Sequence, residues 1–315
     1  MSQINVDIIS GNASDLVQIN GKVAEGNTTQ ANGSYSHAEG SFTVADGNFS
    51  HAEGSSTHAN GTSSHSEGAL TTAIGNYSHV EGEYSQSVGE ASHAEGDSTN
   101  ATGYASHAEG VSSTASGSGS HSQNYNTKAI GLGSHAEGLY TTANGSYSHA
   151  EGGYSTASGP YSHAEGIFTI ASGDYSHAEG SNTKAIGHYS HAEGYAATAS
   201  GAYSHAEGYN TTSYGELSHT EGSQTTANGQ FSHAGGIGSV ASGYASFVHS
   251  SNSTAFGIRS VVIGGQNIVG STADTVYMPK VELDEVAASI IMKSPDGTRY
   301  KLTIANGGTI SIVTA

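Results

Sequence analysis

Along most of the chain small and larger side chains alternate, and the alternation restarts every seven residues. In Ser36-His37-Ala38-Glu39-Gly40 the small Ser, Ala and Gly share one parity, and His and Glu share the other. In Thr43-Val44-Ala45-Asp46-Gly47 the small set Thr, Ala and Gly recurs beside different partners. Period two belongs to strands, whose successive side chains point to opposite faces. Helix is excluded, because a glycine every seven residues costs about 1 kcal/mol each and Ser and Thr dominate the rest. The pattern predicts coils of 14 residues, each with two short strands joined by Gly-centred turns. Glycine is expected to supply φ > 0 at those turns, with Asn124 the best non-Gly substitute.

The register does not drift. His recurs at every fourteenth position from His37 to His233, fifteen times in all, and thirteen of these are followed two residues later by Glu. Every seventh position from Gly26 to Gly264 is Gly, except Asn124 and Ser250. A thin roll with almost no interior space requires the small set to face inward. The other face of the second strand varies freely (Val44, His58, Thr72, Gln86, Asn100, Lys128, Ile170, Lys184), as a solvated face does. The His/Glu face is nearly uniform, which solvation does not require.

Composition sharpens this picture. The chain has 315 residues with 45 Gly, no Cys and no Trp, and only 34% is apolar. One large conventional core, a disulfide framework and a thiolate metal site are therefore excluded. An Ala/Ser interior gains little at ~25 cal/mol per Å² against an ordering cost of ~1–2 kcal/mol per residue. Association must supply the rest, and three-fold closure is expected. The seam would be lined by His51, Glu53, His93, Glu95, His177, Glu179, His191, Glu193, His205 and Glu207. A formal charge of −19 argues against nucleic acid and anionic membranes as partners. The start, Met1 to Asp7, lacks a basic and an apolar region, so no secretory signal is expected. No apolar stretch approaches the ~20 residues of a membrane helix.

At the end of the array the pattern changes: Phe247 and His249 stand where His and Glu are due, and one coil later comes Ser260-Val261-Val262-Ile263-Gly264. This resembles the Ser-Val-Ala-Ile-Gly motif of YadA-like head domains in trimeric autotransporter adhesins. The resemblance covers residues 22–264. It implies an all-β fold, a left-handed parallel β-roll (solenoid) of 14-residue coils wound into an intertwined homotrimeric fibre. Here His and Glu take the places of the family's Val and Ile, and the signal peptide and membrane barrel of those adhesins are missing from this sequence. Repeats of the Ser-His-Ala-Glu-Gly type are similar to those of bacteriophage tail fibre and baseplate appendage proteins. That likeness implies a structural virion protein made in the host cytoplasm, with other tail or baseplate proteins and a host-surface glycan or protein as partners. The alternative is a YadA-like cell-surface adhesin head without its anchor.

Three segments follow: residues 1–21, an N-terminal β adaptor with a strand at Ile4–Ile8; residues 22–264, the shaft; and residues 265–315, a small β cap. In the last, two strands flank a Pro-Asp-Gly turn and Ala305–Gly308 turns into a third.

The chemistry of the array has rival readings. His and Glu at i and i+2 on one face, in three copies about an axis, are candidate metal ligands: His37, Glu39, His149, Glu151, His163 and Glu165. A hydrogen-bonded ladder is the expected reading, with no metal and no cofactor. No catalytic residue is expected, since Ser36 points away from His37 and fifteen equal copies leave no unique pocket. Glu83, Glu90, Asp97 and Asp174 read as solvated surface. Tyr147, Tyr161, Tyr175, Tyr189 and Tyr203 form one column, a protective edge ladder before a sugar-binding one. Proton sharing along the seam would raise the His pKa values and lower those of Glu, with greatest stability in mildly acidic solution. The coil Gly119–Asn124, with Gln123 for Glu and Asn124 for Gly, is expected to depart locally from its neighbours.

Overall fold

The computed structural model describes residues 9–11, 17–19, 21–280, 290–295, 297–304 and 310–314. Among them every regular element is a strand. The array is a parallel β-solenoid. Each coil has a long strand, such as His37–Ser41, and a two-residue strand, such as Val44–Ala45. Each strand pairs with its counterpart fourteen residues away, so that His37 lies over His51 and Val44 over His58. Nineteen long strands, from Val23–Asn27 to Val276–Tyr277, form one ladder and eighteen short ones form the other. Backbone amides bind coil to coil: His37 N donates to the Ser50 carbonyl at 2.9 Å, and Phe42 N to that of Asn27 at 2.8 Å.

The interior is the small set, as the alternation requires. Ala38, Ala45, Ala52 and Ala59 are wholly buried, as are their counterparts along the roll. The hydroxyl of Ser36 turns inward and donates to the Gly33 carbonyl at 2.8 Å, and Ser50, Ser64 and Ser78 repeat the bond. This bond satisfies a turn carbonyl that the ladders leave free, one role for the Ser that precedes all fifteen column His.

Glycine meets the expectation in part: at every second lattice position its φ is positive, as at Gly40 (115°) and Gly54 (112°), but it is not the only left-handed residue. The left-handed residue of each turn stands two places after the lattice glycine: Tyr35 (φ 58°) follows Gly33, and Phe42 (φ 57°) follows Gly40. The lattice glycine itself is required by close approach. A Cβ on Gly47 would lie 1.9 Å from the carbonyl oxygen of Gly61, and one on Gly40 (φ 115°) would lie 2.1 Å from that of Gly54.

The two breaks in the lattice have unequal effects. At Asn124 the left-handed backbone persists (φ 81°), and its side-chain oxygen accepts from Gly138 N at 3.3 Å. The strand His121–Tyr125 stays in register with His135–Leu139, so the expected departure is confined to side-chain bonding. At Ser250 the backbone is not left-handed, and a Cβ does stand under the next coil. That coil answers with an extra residue: His249 pairs with Ile263 but Ser251 with Gln266, and Gly264 and Gly265 bulge outward. The Ser250 hydroxyl is 2.9 Å from the Gly264 carbonyl oxygen. Beyond this bulge the ladder continues to Val276–Tyr277.

Outside the solenoid, Ile9–Gly11 pairs antiparallel with Val17–Ile19. Ile290–Lys293, Arg299–Ile304 and Ile310–Thr314 make the expected antiparallel meander. The expected strand at residues 4–8 and the turn at 305–308 lie outside the described residues.

Candidate functional site

The long strand carries its small residues inward, so its His and Glu must stand together on the outer face. There the imidazoles stack. From His37 to His219 each ring lies 4.7–4.9 Å from the next, which is the strand spacing itself, and most pairs are within a few degrees of parallel.

Beside this column runs the column of Glu. Within a coil His37 Nε2 is 3.6 Å from Glu39, His51 3.7 Å from Glu53, His93 3.7 Å from Glu95, His177 and His191 each 3.6 Å from Glu179 and Glu193, and His205 3.9 Å from Glu207. Between coils His149 is 3.7 Å from Glu137 and His163 is 3.6 Å from Glu151, and within its own coil His163 is also 3.6 Å from Glu165. These separations exceed an ordinary hydrogen bond. Fourteen of the fifteen column imidazoles accordingly have an Nε2 shielded from solvent with no hydrogen-bond partner within the chain. The exception is His135, which has the Gln123 amide at 3.5 Å. The face is half-buried: the His163 side chain is 35% exposed in the single chain.

Electrostatics follow from the stacking. Burial, then the neighbouring imidazoles, hold His65, His93, His149, His177, His205 and His233 below the usual histidine range; the carboxylates oppose this and lose. For these six the expected rise in pKa is reversed, first by burial and then by the like rings stacked at 4.8 Å. The carboxylates divide. Glu67 is pushed up to about 7 by its hydrogen bond to Glu81, with burial and Glu53 adding. Glu151 is raised by burial and by hydrogen bonds to Glu137 and Glu165. Burial also pushes Glu53 upward, but hydrogen bonds from Glu67 and Glu39 and the charges of His51 and His65 outweigh it and hold it low. Neighbouring carboxyls thus share protons along their own column.

Ser36 is buried while His37 faces out, so the two cannot act together. Glu83, Glu90 and Asp97 are exposed, and Asp174 lies 3.4 Å from His188. Tyr147, Tyr161, Tyr175, Tyr189 and Tyr203 stack at 4.9–5.2 Å. Their faces cover one another, leaving ring edges toward solvent. Three features went unread in the sequence. One is the left-handed turn residue. Another is a second aromatic column at the opposite turn, Tyr140, Tyr154 and Phe168. The third is a cluster of Glu221, His233 and His249, signalled by Gly235 where Glu is due and His249 one coil beyond.

Comparison with known families fits this geometry. The YadA head domain repeat matches residues 125–148, 150–176, 178–204 and 234–260. The coils are similar to YadA head repeats. The YadA-like matches take in both the polar column and the coils where it gives way to Phe247. A search of curated proteins finds no match to the chain.

Proposed function

We propose that the chain is the shaft of a homotrimeric virion fibre, a tail fibre or baseplate appendage that attaches to the host surface. The observation carrying this reading is the uniform face of shielded, unpartnered imidazole nitrogens on YadA-like coils. Buried polar atoms without partners are rare in a finished structure. Three copies about an axis would give each His a partner, His51 against Glu53 of a neighbour and likewise through His205 and Glu207, and would bury surface that the Ala-filled interior cannot supply. The varied short-strand face and the tyrosine edges then face outward, where receptor glycan or protein is met.

The role is mechanical and adhesive, without catalysis and without a cofactor. The fibre is made in the host cytoplasm and assembled onto the virion by docking to other tail or baseplate proteins. The charge of −19 supports neither nucleic acid nor an anionic membrane surface as partner. Among the described residues no helix is long and apolar enough to cross a membrane.

The native mass of the full chain tests the assembly: three times the chain's 31.7 kDa is expected, and a monomer would remove the argument. Immunogold labelling tests the location, with label on tails or baseplates expected. The YadA match on its own favours a second reading, a cell-surface adhesin head; label on cell envelopes and none on virions would establish it.

A further inference from the structure

Apart from Gln123, the His/Glu column is monotonous until its C-terminal end. There Gly235 stands in the Glu position, and His249 occupies that position one coil later. The side chain missing at Gly235 leaves a gap that His249 enters from above and Glu221 from below. A Cβ on Gly235 would lie 2.6 Å from His249 Nδ1 and 3.0 Å from Glu221 Oε1. The His233 ring also turns, 75° from that of His219 at 4.8 Å, and stacks instead on Phe247 at 4.7 Å. His233 Nε2 and His249 Nδ1 both come to 3.3 Å from one atom, Glu221 Oε1.

This geometry suits an ion better than a hydrogen bond. Two nitrogens at 3.3 Å from an oxygen lie outside the usual 2.7–3.2 Å for N–H···O. Nitrogen and oxygen ligands held at about 2.0–2.2 Å around a tetrahedral ion are separated from each other by roughly 3.4 Å. His233 Nε2 is shielded from solvent and unpartnered within the chain.

The rest of the column lacks this convergence. Groups such as His93, Glu95 and His107 bring three ligand atoms within 4.8 Å. Their rings, however, are 4° from parallel and stacked, so an ion in the plane of one imidazole lies out of the plane of the next.

We propose that Glu221, His233 and His249 form a binding site for one divalent transition metal ion of the zinc class, with water in the fourth position. Two imidazoles and one carboxylate are the ligand set such ions prefer. The ligands come from three successive coils, so the ion staples them. The staple lies where the long strand is interrupted: in the Glu221 coil it is shortened to His219–Thr220 with an isolated bridge at Ser223. It also lies where the column becomes apolar at Phe247 and Val261. The site needs only one chain and does not depend on the trimer.

The test is calorimetric titration of the full chain, stripped with chelator, with Zn²⁺, paralleled by Co²⁺ absorption to report tetrahedral coordination. One tight ion per chain is expected. His249→Ala and Gly235→Glu should each weaken it more than about tenfold, while His93→Ala leaves it unchanged. Melting curves of the stripped proteins identify any variant that fails to fold, and His249→Asn, at a half-exposed position, serves as a second probe of the same ligand. No tight binding by the wild type, or wild-type affinity in folded His249→Ala and His249→Asn, would overturn the site.

Discussion

Gly152 and Gly153 are neighbours in sequence with opposite surroundings. A Cβ on Gly152 (φ 90°) would meet the Gly166 carbonyl oxygen at 2.2 Å, whereas one on Gly153 would meet nothing within 4 Å. Gly152→Ala must therefore displace the next coil, with an expected cost above ~3 kcal/mol, while Gly153→Ala stays within about 0.5 kcal/mol of the parent. Denaturant melts of the pair check this, and equal midpoints would show that the coils can part. Six column His have folded pKa values below the ordinary 6.5, so the unfolded chain binds more protons below that pH. Their contribution is full above 6.5 and is lost as pH falls toward the folded values. Glu67, raised to about 7, acts in the opposite sense: its contribution is present below 4.5 and lost as pH rises through 7. Glu151, also raised, has the same sign. Glu53 and Glu137, held low, add stability above 4.5 that acid removes. The two raised carboxyls oppose the six imidazoles, so with Glu67 and Glu151 both replaced by Gln the melting temperature is expected to fall steadily from pH 7.5 to 5. A maximum near pH 5.5 would instead restore the imidazolium–carboxylate pairing that adjacency alone suggests.

At the scale of the element, the carboxylate column has one interruption. Gln123 donates its amide to the Glu137 carboxylate, and that bond, together with one from Glu151 and the charges of His135 and His149, outweighs burial and holds Glu137 low. An amide cannot repel a carboxylate above it, so Gln123 divides a long run of like charges into two shorter ones. Gln123→Glu should destabilise the fold more at pH 8, where the new pair is charged, than at pH 5, where neighbours share a proton. Melts at the two pH values measure the difference, and an equal effect at both would make Gln123 a neutral drift. The coils themselves were legible because period two within a strand and period fourteen between strands are both written in side-chain size. The inward Ser36 and Ala38 and the outward His37 and Glu39 could be assigned from parity alone, whereas Gly40, which shares the inward parity, is exposed. What could not be read was φ. Tyr, Phe, Ser, Leu and Ala occupy the left-handed turn position as well as Asn and Gly, because the hydrogen bonds of two neighbouring coils impose a conformation that most residues there do not prefer. The sign of the His shifts was hidden for a related reason. Sequence shows that His37 and Glu39 are near, but only coordinates show that the next imidazole is stacked at 4.8 Å and the carboxylate is 3.6 Å away. The cluster at Glu221 was visible in principle, since residue 249 is one coil beyond 235, but it requires the turned ring of His233 to become a site.

For the whole molecule the seven-residue and fourteen-residue periods make different demands. Seventeen steps between eighteen short-strand layers, at the 4.8 Å spacing of the stacked rings, give a rod of roughly 80 Å. In a solenoid each coil touches only its neighbours, so whole coils can be removed without altering the contacts that remain. Deleting His149–Ser204, four coils, joins Ser148 to His205 and preserves Ser-His, the glycine lattice and the face of the column. Such a variant should fold, keep the assembly of the parent and be shorter by about 19 Å in electron micrographs. Deleting His149–Ser155 removes only seven residues. The glycines and the inward small set stay in step, but a short strand now sits over a long one. Every His from His163 to His233 moves to the opposite side of the roll. Were the interior alone decisive, this variant would be as stable as the other. If the His/Glu face is the seam between chains, half of each seam is lost, and the variant should lose its trimeric mass and melt well below the parent. Native mass and melting temperature of the two deletions, side by side, decide between a solenoid that stands alone and one completed by its partners.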